Sequence, residues 1–454
     1  MSKFVGVMLG CMLAVTACSS TEEESTSTQA TGSSTDATAV LPSAAPPAPV
    51  RGVEGDTIKI GFLTAKNQDA AQAKLGTTGI TFVPHDEIVT KLVDDLNANG
   101  GLAGKKLVPV LHVTDVTGGA DPQTISNEIC ATFTEDNQVY AVLSNSTPSD
   151  QLLACLNKAQ IPLIVSSGGT FSFADKTAYD ANPLFFNGSG INLDSAAKAL
   201  VQGLNTAGWF TTDAVLGVIR LTSPAFDAAA KNSLDPALAA IGVKPAVYTT
   251  IAEIATNDDI ARFSTEAQAA VLKMKEAGVT HLMFFESGGG APFFFLAAAK
   301  GQGFAPTLGF STLSGGESLV QNIKGGGTSV SWSPVGDVPT ASELPESPEA
   351  KKCLDLIDST RAAFTSPNAT SETLRFCDAT WLLQAGVKAA GGPVAPTDLQ
   401  KAIEGLGSSY QSPAALSTTF GPSKHDGVSE YYITDYDPAC SCNVYRKNGP
   451  TPIG

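Results

Sequence analysis

Leu96-Asn97-Ala98-Asn99-Gly100-Gly101-Leu102-Ala103-Gly104-Lys105-Lys106-Leu107 carries a helix end, a turn and the start of a strand. Before it, residues 87–97 place Ile88, Leu92, Val93 and Leu96 on one helical face. Asn99-Gly100-Gly101 stops that helix, because glycine enters the left-handed conformation that closes a last turn. Residues 106–113 then alternate as a strand. The same grammar runs outward in both directions: strands over 57–64, 139–144 and 162–166, helices over 123–133 and 149–159. It resumes after Asn187, with strands near 215–219, 246–250, 281–285 and 307–310. Repeated strand-helix winding predicts an α/β fold with mostly parallel sheets in two similar lobes.

Composition agrees with buried parallel strands: 43% of the 454 residues are hydrophobic and 16% are charged. The formal net charge of -16 excludes nucleic acid as a partner class. Residues 1–17 read as a signal peptide, with Lys3 before an apolar stretch and small Ala17 before Cys18. The boundary resembles a bacterial lipoprotein signal, which implies an acylated Cys18. An ordinary secretory signal with an incidental cysteine is the alternative. Residues 18–55 contain SSTEEESTSTQATGSSTDATAVLPSAAPPAPV, which has almost no large apolar side chains to bury. As a flexible tether this stretch reaches roughly 30 Å. The expected location is the extracytoplasmic face of the cell membrane, held by lipid.

Besides Cys11 and Cys18, six cysteines remain: Cys130, Cys155, Cys353, Cys377, Cys440 and Cys442. An even number outside the cell suggests disulfides. Sequence proximity favours Cys130 with Cys155, Cys353 with Cys377 and Cys440 with Cys442, among the 15 connectivities that six cysteines allow. Free, buried thiols are the alternative.

Enzyme motifs fail when sought. Between Gly100 and Gly104 stand three residues where a phosphate loop needs four, and Lys106 takes the Ser/Thr place. No Gly-x-Ser-x-Gly elbow or His-Glu-x-x-His helix occurs. His85, His112, His281 and His425 are not spaced as a metal pair, so neither metal nor cofactor is expected. A hydrolase using two carboxylates that meet in space stays open as an alternative.

The run 96–107 resembles the opening of type I periplasmic binding proteins of the leucine/isoleucine/valine type, the substrate-binding components of ABC importers. Three later stretches match that family too: Ser144-Asn145-Ser146-Thr147, Ile161-Pro162-Leu163-Ile164-Val165-Ser166-Ser167-Gly168-Gly169-Thr170, and Phe420-Gly421-Pro422-Ser423-Lys424-His425-Asp426-Gly427. In order and spacing these cover essentially all of residues 57–447. The resemblance implies two αβα lobes joined by three crossovers near 186–189, 327–332 and 418–422. Lobe 1 is then 56–187 and 328–419, lobe 2 is 188–327 and 420–447, and 448–454 is a tail. It also implies a monomeric, non-enzymatic receptor that closes on a small ligand and delivers it to importer permease subunits. An anchored sensor signalling to a membrane partner shares the same fold and remains the alternative.

The candidate anchor is Ser144, Asn145, Ser146 and Thr147. Thr147 or Ser146 can cap a helix starting at Pro148, whose free N–H groups suit a carboxylate. Ser167, Gly168 and Thr170 form a second loop of hydroxyls and close backbone. In the resemblance both loops hold the ligand's carboxylate; capping and turn formation alone are the plainer reading, and the two roles can coexist. In the second lobe Phe226 stands near the family's aromatic position. Where the family carries an acid, the sequence reads Phe310-Ser311-Thr312-Leu313, which leaves Ser311 as a contact. Glu286 is the substitute cation partner, or else a solvated loop residue. Ala65-Lys66-Asn67-Gln68 also departs from the family's Ser-Gly-Pro turn. The expected ligand is a small polar organic molecule, amino-acid-like, with branched-chain amino acids first.

Overall fold

Two sheets, each built by strand-helix winding, organise the chain. The computed structural model describes residues 49–74, 80–146, 149–167, 173–252, 259–288, 290–315, 326–334, 346–439 and 442–454. The first sheet contains β1 (Val53–Glu54), β2 (Thr57–Lys66), β3 (Lys106–Asp115), β4 (Ala141–Ser144), β5 (Leu163–Val165) and β6 (Phe185–Asn187). Its order is β3-β2-β4-β5-β6, all parallel, with β1 antiparallel beside the start of β2. Strand alternation divides its side chains between two cores. Ile58, Ile60 and Phe62 pack under helices His85–Ala98, Pro348–Ile357 and Pro367–Ala389. Val142, Leu163 and Val165 pack under helices Pro122–Ala131 and Asp150–Lys158. Cover on both faces is why β4, β5 and β6 are buried at every residue.

The second sheet contains β7 (Leu216–Thr222), β8 (Val247–Ala252), β9 (His281–Phe285), β10 (Thr307–Ser311) and β11 (Gly327–Ser331), parallel in the order β11-β10-β9-β7-β8. Antiparallel strands extend it: β12 (Glu430–Asp437) pairs β11, while β13 (Cys442–Tyr445) and β14 (Thr451–Pro452) pair β12. Helices Leu193–Thr206 and Asp259–Glu276 cover its core, which includes Val218, Phe284 and Phe310. Two expected boundaries shift as a result. The division expected between 327 and 328 falls inside β11, whose Thr328 hydroxyl donates to the Asp435 carboxylate at 2.7 Å. The segment expected as a tail holds β14, whose Thr451 is in register with Tyr431.

The opening stretch closes as its glycines require. The Gly101 N–H donates to Leu96 O at 2.7 Å, and the Leu102 N–H donates to Lys105 O at 2.9 Å. Gly101 has a φ of 67°, and a Cβ there would lie 2.0 Å from Lys105 O. Only glycine satisfies both conditions.

The first crossover runs against residues 425–427, just past the third. Asn187 N–H donates to His425 O, and Gly427 N–H donates to Asn187 O, each at 2.8 Å. Asp426, 2% exposed, accepts on Oδ2 from the Asn192 N–H at 2.7 Å and from its side-chain amide at 2.9 Å. Lys424 Nζ donates to its Oδ1 at 3.1 Å. Asp378, on helix Pro367–Ala389, lies against Gly188 of the first crossover, and its Oδ1 accepts from the Tyr410 hydroxyl at 2.6 Å. Burial pushes the Asp378 carboxyl up to about 6, against the hydroxyls of Ser166, Tyr410 and Ser412.

Two disulfides staple neighbouring helices of the first lobe. Cys130–Cys155 joins Pro122–Ala131 to Asp150–Lys158, and Cys353–Cys377 joins Pro348–Ile357 to Pro367–Ala389. Cys440 of the expected Cys440–Cys442 pair, like Cys18, lies outside the described residues, while Cys442 opens β13. Among the described residues no helix is long and apolar enough to cross a membrane.

Candidate functional site

Parallel strands of an open sheet end at a rim where loops and helix starts present polar groups to solvent, and ligands bind there. At the carboxyl ends of β2, β3 and β4 this rim holds a cavity of about 280 Å³. Gln68, Phe82, His85, Asn145, Ser146 and Glu372 are among its lining residues.

One polar cluster dominates it. His85 Nδ1 accepts the Ala65 N–H at 2.9 Å, so the hydrogen-bond pattern assigns the ring proton to Nε2. His85 Nε2 then donates to Glu372 Oε2 at 2.7 Å, and Gln68 Nε2 donates to the same oxygen at 2.9 Å. Glu372 Oε1 has no hydrogen bond among the described residues. The imidazole is 3% exposed, with Phe376 edge-on at 4.8 Å between ring centroids. One turn along the helix from Glu372, burial pushes the Arg375 guanidinium down while the Glu372 charge acts to raise it. Among the described residues no salt bridge joins those two side chains.

Of the residues expected from sequence, Asn145 and Ser146 line this cavity. Ser144 lies beneath them, its Oγ donating to Ser146 O at 2.6 Å and accepting the Ser146 N–H at 3.1 Å, which closes the turn. The helix expected to start at Pro148 starts at Asp150 instead. Ser149, not Ser146 or Thr147, is its cap, accepting the Leu152 N–H at 3.2 Å. Ser167 is fully buried, and its N–H and hydroxyl bond the Asn187 side chain at 3.1 Å each, which ties the second loop to the first crossover. Thr147, Gly168 and Thr170 lie outside the described residues.

The second-lobe candidates do not line this cavity. Phe226, 4% exposed, packs edge-on against Phe285 at 5.2 Å and fills the core. Ser311, 2% exposed, ends β10, and its N–H meets Ser314 Oγ at 3.3 Å. Glu286 follows β9 and is 1% exposed, a buried acid and not a solvated one. Sequence reading passed over Gln68, His85 and Glu372 as site residues. The one signal was the departure at 65–68, which supplies both Gln68 and the Ala65 N–H. Among the described residues no group of three or more metal-type side chains gathers.

A family model described as periplasmic binding protein matches residues 57–441. Three solved structures share the fold. A possible leucine/isoleucine/valine-binding protein from Rhodopirellula baltica is 16% identical over 88% of this chain and 98% of its own, with a TM-score of 0.60. An ABC transporter substrate-binding protein from Desulfitobacterium hafniense, in complex with Leu, is 15% identical over 86% and 100%, at 0.57. An ABC transporter solute binding protein from R. palustris, in complex with 4-hydroxybenzoate, is 16% identical over 87% and 97%, at 0.61. No curated protein matches the chain.

Proposed function

Since this chain belongs to the periplasmic binding protein family, we propose that it is a lipid-anchored extracytoplasmic receptor that captures a small polar, amino-acid-like ligand and delivers it to the permease of an ABC importer. The observation that carries the reading is the cavity at the carboxyl ends of β2, β3 and β4, with Asn145 and Ser146 on its wall. Asn145 and Ser146 offer amide and hydroxyl contacts from the first lobe. Thr147, Gly168 and Thr170 are proposed as further ligand contacts of the first lobe, and Glu286 and Ser311 as contacts of the second lobe once the lobes close. The relatives solved with Leu and with 4-hydroxybenzoate support a small carboxylate-bearing cargo. No bond chemistry is needed for this role.

Thermal unfolding against amino acids, small amides, carboxylates, sugars and nucleosides tests it. A ligand at about 100 times its Kd stabilises by roughly 2.7 kcal/mol, which reads as a shift of a few degrees. Ser146→Ala is expected to weaken the active compound by about five- to tenfold, the worth of one hydrogen bond. A panel in which no class moves the transition would end the receptor reading. The anchor has its own check in cell fractionation: Cys18→Ser should move the protein out of the membrane fraction. Firm retention by the variant would remove the lipid from the account.

A further inference from the structure

The crossovers meet at one carboxyl. Asp378 is fully buried on helix Pro367–Ala389, and both of its oxygens face Gly188 of the first crossover. A Cβ on Gly188 would lie 2.2 Å from Oδ2 and 2.8 Å from Oδ1, so the backbone and the carboxyl are in direct contact. Ser166, whose hydroxyl acts on the carboxyl, lies 2.9 Å by its Oγ from the Ser189 hydroxyl in the same crossover. Tyr410, which donates to Oδ1, accepts the Thr418 hydroxyl on its own backbone oxygen, and Thr418 stands in the third crossover. One side chain therefore touches the first crossover and reaches the third through a single residue.

We propose that Asp378 is a proton-controlled latch on the joint between the lobes, held shut by the protonated carboxyl and released when the carboxyl ionises. The groups that act on it are the hydroxyls of Ser166, Tyr410 and Ser412. Burial and the neighbouring carboxyl, with Glu349 adding to them, hold the Tyr410 phenol well above its ordinary value, so it stays a donor. The charged groups nearby engage one another: Glu404 meets His425 at 2.8 Å, Asp426 meets Lys424 at 3.1 Å, and Glu372 acts on Arg375 further back on the same helix. A carboxylate buried among neutral donors is costly, whereas the protonated form is not. Any turn of the crossovers that withdraws Gly188 admits water to the carboxyl and favours the ion. The shut joint then binds the proton more tightly than the open one, so its advantage is full below about pH 4 and is lost as pH climbs through 6.

Hydrogen–deuterium exchange on the full chain without ligand, at pH 5 and pH 7.5, tests the latch, each rate being corrected for the intrinsic chemical rate at that pH. The reporters are the Asn187 and Gly427 N–H groups, which bond between the first crossover and the segment just past the third. They are expected to exchange ahead of residues 282–284 in the core of the second lobe, and to open about tenfold more at pH 7.5 than at pH 5. In Asp378→Asn that ratio should fall to about one. Equal opening at the two pH values in the wild type would overturn the proposal without any variant, so a misfolded Asp378→Asn leaves it falsifiable. Reporters that exchange only together with residues 282–284 would mean global unfolding, and no latch. A tenfold ratio kept by a folded Asp378→Asn would overturn the residue and turn attention to the His425–Glu404 pair. No cargo enters the experiment, so its failure leaves the receptor reading standing.

Discussion

Replacing Asp426 with alanine is expected to destabilise the chain by about 3–5 kcal/mol. Its carboxylate is 2% exposed and accepts two bonds from Asn192 and one from Lys424, so it ties the segment just past the third crossover to the cap of helix Leu193–Thr206, just past the first. Truncation leaves a buried backbone N–H and a side-chain amide at Asn192 without their acceptor, and strips Lys424 of its counter-ion. Gly427 follows immediately, where a Cβ would lie 2.0 Å from Gly188 O, so the backbone cannot settle inward to repair the loss. Urea unfolding followed by near-ultraviolet circular dichroism measures the change. A loss under about 1 kcal/mol would mean that the crossovers are held by their backbone bonds alone.

Asp378→Asn should have the opposite sign, and its effect should depend on pH. The folded carboxyl titrates near 6 against an ordinary 3.8, raised by burial. Between those values the folded state binds more protons than the unfolded one, so stability falls as pH rises. The favourable contribution is therefore fully present below about pH 4 and lost as pH climbs through 6. By pH 7.5 the buried charge costs on the order of 3 kcal/mol. Asparagine keeps an oxygen for the Tyr410 hydroxyl and carries no charge. The variant is expected to exceed the wild type by up to about 3 kcal/mol at pH 7.5, with the gap closing near pH 4. Unfolding midpoints at pH 4, 5.5 and 7.5 decide the matter, and parallel curves for the two proteins would refute the account.

Periodicity made much of the scaffold legible. The strand His281–Phe285 has the limits its apolar run suggests, and the helix before Asn99 differs only by short extensions at its ends. Local pattern failed where small or polar residues are buried by partners far away in sequence. β11 reads Gly-Thr-Ser-Val-Ser and looks like a connection, yet Thr328, Ser329 and Ser331 are buried. Thr328 bonds Asp435, and the Ser331 hydroxyl lies 3.2 Å from that of Thr434, contacts that no window of neighbouring residues contains. The cap at Ser149 was misplaced by two or three residues because several hydroxyls compete in Ser146-Thr147-Pro148-Ser149 and only the fold selects among them. The cavity cluster was illegible for the same reason at greater range: Gln68 and Glu372 lie 304 positions apart. The 65–68 departure marked one end of that contact without naming the other.

The helix Pro367–Ala389 places Glu372 on the cavity wall and Asp378 against the first crossover, only six residues and roughly 9 Å of rise apart. Cavity wall and crossover contact thus share one rod, pinned between them at Cys377. The two properties are not separable modules for an engineer or for natural variation. A substitution near Glu372 acts on a rod that also seats Asp378 against Gly188, whereas Ala65, Gln68, Asn145 and Ser146 reach the cavity from strand ends.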